Sequence, residues 1–237
     1  MSVPGLLDHV VIAGPDLAEV VDWFEDLTGV RAAPGGAHPT GTANALVGLT
    51  LDGRPGPQYL ELIGPDPARG TAPAASAATT SGATASPASQ PAGSLPTAFG
   101  IDRLERPTLV TYAVHPTDLD GTVARARAEG YDPGDVRDLS RRTPDGTLLQ
   151  WRLTRADDQE RFDLPFLIDW GSTPHPGLGE LPRLELLDLY RLEVDPEPLH
   201  LLTDALGLGD GVARIDEGPQ SRFLLRLRTP DGRVVEL

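Results

Sequence analysis

The sequence predicts an α+β protein in which a strand, a helix and three strands (βαβββ) are written twice and followed by a third, partial α+β module. Three observations carry that prediction. Short apolar strands alternate with amphipathic helices, the order of these elements repeats at offsets of 102 and 105 residues, and a stretch without large side chains separates the two copies.

The first strand, Leu7-Asp8-His9-Val10-Val11-Ile12, is an apolar run interrupted by the ring of His9. Pro15-Asp16-Leu17 then opens an amphipathic helix that runs to Gly29. A hairpin follows at His38-Pro39-Thr40-Gly41-Thr42, leading into a strand that carries Asn44, the chain's one asparagine. Tyr59-Leu60-Glu61-Leu62-Ile63 closes the copy and is interrupted by Glu61 as the first strand is by His9.

The second copy is in register with the first. Leu7 to Leu17 aligns with Leu109 to Leu119, a helix runs from Leu119 to Glu129 and stops at Gly130, and the hairpin Thr143-Pro144-Asp145-Gly146-Thr147 matches that at His38. Leu164 to Ile168 supplies its closing strand. Between the copies, every residue from Gly70 to Thr97 except Gln90 and Leu95 is Gly, Ala, Ser, Thr or Pro, a composition that buries too little apolar surface to offset chain entropy and reads as a flexible linker. The tail repeats the order less completely: a strand over Leu186 to Val194, a helix over Glu197 to Leu206 stopped by Gly207, a strand over Phe223 to Leu227 and a hairpin at Thr229 to Gly232. The resulting division is 1–66, linker 67–98, 99–180, and 181–237 as a module packing on the core.

Composition narrows the function. Cysteine is absent, which excludes disulfides, thiolate ligands and a cysteine nucleophile, and all twenty basic residues are arginine, which excludes Schiff-base and P-loop lysines. The net charge of −15 argues against a nucleic-acid partner. No apolar run is long enough for a transmembrane helix and no signal peptide is visible, so a cytoplasmic address and no membrane partner are expected.

His9 and Glu61 ask for a shared explanation, because each alone inside an apolar face carries a desolvation cost while together they suit a divalent cation. His9, His38 and Glu61 make a two-histidine, one-carboxylate set for Zn, Fe, Mn or Ni, with Glu61 and His38 as candidate catalytic groups. Without a metal, Glu61 is expected to bond His9, Asn44 or an arginine. Asn44 needs a buried partner; Arg141 or Arg142 suits a carboxylate or phosphate on a ligand; Trp151 and Trp170 suit an aromatic wall. Asp169 has opposite strand parity to Phe166, Ile168 and Trp170 and should face away from them, while His175-Pro176 reads as a surface turn.

Leu-Asp-His-Val-Val at 7–11, Gly-Gly-x-His-Pro-x-Gly-Thr-x-Asn at 35–44, Tyr-Leu-Glu-Leu-Ile at 59–63, Ser-Arg-Arg-x-Pro-Asp-Gly-Thr-Leu-Leu at 140–149 and Leu-Pro-Phe-Leu-Ile-Asp-Trp at 164–170 together resemble the vicinal oxygen chelate superfamily, and within it bacterial glyoxalase-like domain proteins. The resemblance implies that paired modules curl into an open trough of mixed sheet around one site, with first and last strands as neighbours. It also implies metal ligands from both halves, and here the chain departs from the pattern: Thr111 stands opposite His9 in register, and Phe166 or Ile168 stands opposite Glu61. Two readings follow. One is a small-molecule enzyme of isomerase, lyase or dioxygenase type that uses a divalent metal; the other is a metal-free binding or drug-sequestering protein, and either works as a monomer or homodimer.

Overall fold

The structure, a computed structural model, describes residues 6–70, 95–143, 145–154 and 162–237. Most of the expected linker (71–94), and Pro144 of the second hairpin, lie outside the described residues.

The first copy folds as β1 (Leu7–Ala13), α1 (Leu17–Thr28), β2 (Ala33–Ala37), β3 (Thr42–Leu51) and β4 (Arg54–Pro65). Asp16 caps α1 by accepting from the amides of Ala18 and Glu19, and Gly29 ends the helix in the left-handed conformation. The second copy is β5 (Thr108–Val114), α2 (Leu119–Ala128), β6 (Arg137–Arg142), β7 (Leu148–Leu153) and β8 (Phe166–Asp169), its helix capped by Asp118. The tail holds β9 (Arg183–Glu193), α3 (Glu197–Ala205), β10 (Arg214–Glu217), β11 (Arg222–Arg228) and β12 (Val234–Glu236).

Most of these strands join one mixed sheet in the order β12-β11-β9-β3-β4-β1-β5-β8-β7-β6, with β10 beside β9 and β2 beside β3. The first strand of each copy pairs in parallel with its last, β1 with β4 and β5 with β8, and the copies meet where β1 and β5 run antiparallel. The neighbouring of first and last strands is thus as expected. The tail departs from the repeat, because β9 pairs antiparallel with β11 and parallel with β10, whereas a copy of the module would pair its first strand in parallel with its last. It enters the sheet through β3, whose residues 43–46 pair with β2 and whose residues 48–50 pair with β9.

The sheet separates two apolar layers. On one face α1, α2, α3 and the tail strands bury Phe24, Leu60, Leu62, Tyr112, Leu225 and their neighbours in the larger core. On the other, Val11, Ala13, Tyr59, Ile63, Phe166 and Ile168 form a second layer that floors the trough. The tail therefore contributes to the helix-side core, and none of its described residues lines the trough.

Contact between β4 and α1 is tightest at Gly64, where an added Cβ would lie 2.7 Å from the backbone nitrogen of Leu17. Backbone cannot yield as a flexible side chain does. Gly64→Ala is expected to lower the unfolding free energy by about 2 kcal/mol, read from urea titrations; an unchanged midpoint and slope would show that the helix can shift freely on the sheet.

Candidate functional site

The trough encloses about 1020 Å³ of empty space, mouth included, and both copies line it. From the first come His9, His38, Asn44, Tyr59 and Glu61; from the second come Arg141, Trp151, Phe166, Ile168 and Trp170. Phe99, at a positive φ of 55° on the turn preceding β5, also enters it and lies 6.0 Å from the Phe166 ring. Composition gave no sign of that contact, since the sequence places the residue at the border of the linker.

His9 reaches the trough by ordinary alternation with Val11 and Ala13, and an irregularity in β1 brings Asp8 to the same side. Pairing with β5 shifts register between Leu7 and His9, which inserts Asp8 as an extra residue and lets two successive side chains serve the same side of the sheet. Asp8 is 2% exposed and accepts from three segments: His9 Nδ1 at 2.6 Å, Trp170 Nε1 at 3.0 Å and His175 Nε2 at 3.0 Å. Burial pushes this carboxyl up, but the bonds from His175 and His9 outweigh it and hold the group well below the ordinary carboxylate range. The tautomer of His9 follows. Its Nδ1 hydrogen is committed to Asp8, so Nε2 is the nitrogen that faces Glu61 Oε2, 3.7 Å away. Tyr59 stacks on the ring at 4.6 Å and Phe166 meets it edge-on at 5.4 Å, leaving it no room to turn.

Glu61 is held from its other side. The Asn44 amide nitrogen donates to Oε1 at 2.5 Å, and Asn44 is one of the three partners expected of Glu61 without a metal. Asn44 fits because Gly35 lacks a side chain: a Cβ there would overlap the Asn44 carbonyl oxygen at 2.2 Å. That oxygen is buried and has no hydrogen-bond donor.

The three hairpins share one turn. His38 N–H donates to the Thr42 carbonyl at 2.7 Å, Thr143 to Thr147 at 2.9 Å and Thr229 to Arg233 at 2.9 Å. Where the latter two place a threonine hydroxyl on a neighbouring Asp, the first places an imidazole, whose Nδ1 bonds the Thr42 hydroxyl at 2.9 Å and whose edge faces Trp151 at 6.2 Å. Burial lowers the pKa of His38 to about 4, with Glu61 pulling it up and Arg141 pushing it further down.

Of the two arginines, Arg141 lies in the trough and donates from Nη1 to the Gly35 carbonyl on β2, tying β6 across to the first copy. Arg142 is excluded from the site: strand alternation turns it outward, where it is exposed and bonds the Gly146 carbonyl of its own hairpin. Trp151 and Trp170 stand 5.5 Å apart in the trough wall. Asp169 points away from the trough and accepts from the Gly171 amide. His175, in contrast, is not a plain surface turn, because its ring is half-buried against Asp8.

The ligand atoms of His9, His38 and Glu61 do not all lie within 4.8 Å of one another. His9 and Glu61 supply two donors, but the described residues with three candidate ligand atoms mutually within 4.8 Å are Asp8, His115 and His175. Across from His9 the second copy offers Thr111, whose hydroxyl donates to the Leu164 carbonyl, and the apolar Phe166 and Ile168. The Asp8 cluster fits a cation no better. Gly177 N–H donates to Nδ1 of His175, which leaves the ring proton on Nε2, and that proton is given to the same Asp8 oxygen that Trp170 already donates to. His115 completes the group at 3.6 Å and stacks on His175 at 6.4 Å. The cluster is a hydrogen-bonded support for His9. Sequence reasoning missed Asp8 because alternation assigns it to the opposite face, and only the bulge reverses that; it weighed His175 as a group a loop could bring to the site but favoured a surface turn.

Because His38 stays neutral in the folded chain down to about pH 4 while its unfolded value is 6.5, the unfolded state binds more protons between these values. Its contribution to stability therefore declines as pH falls from 7 toward 4, amounting to about 2 kcal/mol at pH 5. In urea unfolding at pH 8 and pH 5, His38→Gln should show a decline smaller than the wild type's by that amount; equal declines would mean that the imidazole is charged in the folded trough.

A family model described as a glyoxalase-like domain matches residues 7–198. No curated protein matches the chain. Among solved structures, a hypothetical protein from Staphylococcus aureus is 14% identical, with 97% of each chain covered and a TM-score of 0.58. Methylmalonyl-CoA epimerase from Mycobacterium tuberculosis is 18% identical over 71% of this chain and 88% of its own (TM-score 0.37), and a mutant 4-hydroxymandelate synthase from Streptomyces coelicolor is 14% identical over 100% of this chain and 63% of its own (TM-score 0.46). No helix among the described residues is long and apolar enough to cross a membrane. With the model spanning both copies and the S. aureus chain sharing the fold from end to end, the protein belongs to the glyoxalase-like domain family of the vicinal oxygen chelate superfamily.

Proposed function

We propose that the chain is a small-molecule enzyme in which Glu61 and His9 move a proton to and from a substrate held in the trough. The observation that carries this reading is the pair itself: a carboxylate oxygen and an imidazole nitrogen, 3.7 Å apart, both buried and both fixed from behind, by Asn44 and Asp8 respectively. Two such groups form an acid–base pair that a ligand placed against them can exchange a proton with.

A carbon acid placed against the pair meets a base. Glu61 Oε2 takes the proton from the carbon next to a carbonyl, the C–H electron pair delocalises onto that carbonyl oxygen, and the proton returns from Glu61, directly or after passing to His9 Nε2, to either face of the same carbon. Such a sequence is net neutral and gives an epimerisation. Neutral His38 and the aromatic wall keep the surroundings of low polarity, which strengthens every charge interaction inside. A lyase outcome follows if a leaving group sits on the neighbouring carbon.

The test is solvent deuterium incorporation, followed by NMR, into a panel of 2-oxo acids, 2-hydroxyketones and thioesters. At least one member should exchange at the carbon beside its carbonyl, and Glu61→Gln should slow that exchange by about 10²- to 10⁴-fold. No exchange, or exchange indifferent to Glu61→Gln, sinks the assignment. A second reading, a sequestering protein, draws support from the apolar side chains that the second copy presents to the pair, and tight ligand binding without exchange would select it.

This chemistry needs no cation, and the donor set supplies two of the three protein ligands that resident Zn, Fe, Mn or Ni sites generally have. Equilibrium dialysis against zinc should leave well under one ion per chain. A stoichiometric ion that is lost in His9→Ala would restore the metal-dependent reading, with Zn, Fe, Mn and Ni then compared by activity.

A further inference from the structure

Arg141 is 6% exposed, lines the trough, and forms no ion pair among the described residues. One of its guanidinium N–H groups is given to the Gly35 carbonyl. The approach is permitted by Gly36, at a φ of +141°, where a Cβ would meet both Arg141 Nη1 and the Arg142 carbonyl oxygen. A guanidinium has five such donors in a planar fork, and burial disfavours its charge, offset only at longer range by Glu61 and Tyr59. A clasp between β6 and β2 would need a single neutral donor. A buried cation kept without a carboxylate calls for an anion from elsewhere.

The rest of the wall describes the body of that anion. Trp151 and Trp170, with Phe99, Phe162 and Phe166, give the trough a largely aromatic lining, and His38 beside them is neutral. We infer that the trough takes a monocarboxylate with a flat apolar body, its carboxylate on Arg141 and its ring against Trp151 and Trp170. The inference rests on the trough being a ligand site, and it adds the class of ligand and the residue that selects it. Charge would then be balanced along the trough, the ligand's carboxylate facing Arg141 and its remainder directed toward His9 and Glu61.

Phenylacetate and its uncharged counterpart phenylacetamide separate the contributions. Titration by calorimetry, with tryptophan emission as a second readout, should show the acid bound at least about tenfold more tightly than the amide, as one charge-assisted bond is worth. Arg141→Gln should bring the two within about twofold of each other while leaving the amide's affinity in place, Arg141→Lys should retain part of the preference, and Trp151→Ala should weaken both ligands alike. Inorganic phosphate should compete poorly. Equal binding of acid and amide by the wild type, a preference that survives Arg141→Gln, or phosphate competing as well as phenylacetate would overturn the inference. Should Arg141→Gln fail to fold, the wild-type ratio and Arg141→Lys decide. Glu61→Gln should keep the acid preference, so loss of exchange in that variant with the preference intact leaves this inference standing, whereas exchange that persists with no preference removes it alone.

Discussion

Asp8 is a carboxylate without access to water, and the three donors that compensate it come from three parts of the chain: His9 from β1, Trp170 from the end of β8, and His175 from the turn before β9. Each of those segments belongs to a different stretch of the fold, so one buried charge ties the first copy, the second copy and the approach to the tail. Removing one partner of such a group leaves an uncompensated charge, at a cost of about 3–5 kcal/mol. The same carboxylate also fixes which nitrogen of His9 faces the trough. Stability and chemistry are therefore coupled at this residue, and the half-buried His175, which looks remote from the trough in sequence, is part of the reason that His9 is useful.

Much of this was legible in the order of residues. The resemblance to the vicinal oxygen chelate superfamily implied the pairing of first with last strands, and the glycines, histidine and asparagine of the segment 35–44 were recognisable as a unit. Their purpose emerges only in three dimensions: Gly35 makes room for Asn44, Gly36 for Arg141, and Asn44 holds Glu61. Three features escaped pattern reading for distinct physical reasons. A bulge breaks the two-residue period at Asp8; the choice between Arg141 and Arg142 depends on the parity of a short edge strand; and the tail, though similar in its order of elements, pairs its strands differently because β9 is already committed to the edge of β3. Hydrophobic periodicity reports which face is buried, and it is silent on which strand lies alongside.

Duplication places equivalent positions on both sides of the trough, yet the two copies have diverged in opposite directions. The first keeps the titratable groups, His9, His38 and Glu61, and the second has Thr111, Thr143 and Phe166 or Ile168 at the corresponding positions. In exchange the second copy brings the tryptophans and a cation. On the proposed reading this is a division between a wall for proton chemistry and a wall for recognition, and such a division would leave a search for symmetric metal ligands with only half a set. Glu61 and Arg141 are both buried in this space and do not touch, although pairing them would lower the cost of burying each. Keeping them apart leaves a gap between opposite charges in a medium of low polarity, where a ligand that is acidic at one end and polarised at the other is bound more strongly than it would be in water. The separation has a stability cost, which, on the inferred reading, a carboxylate bound at Arg141 would offset.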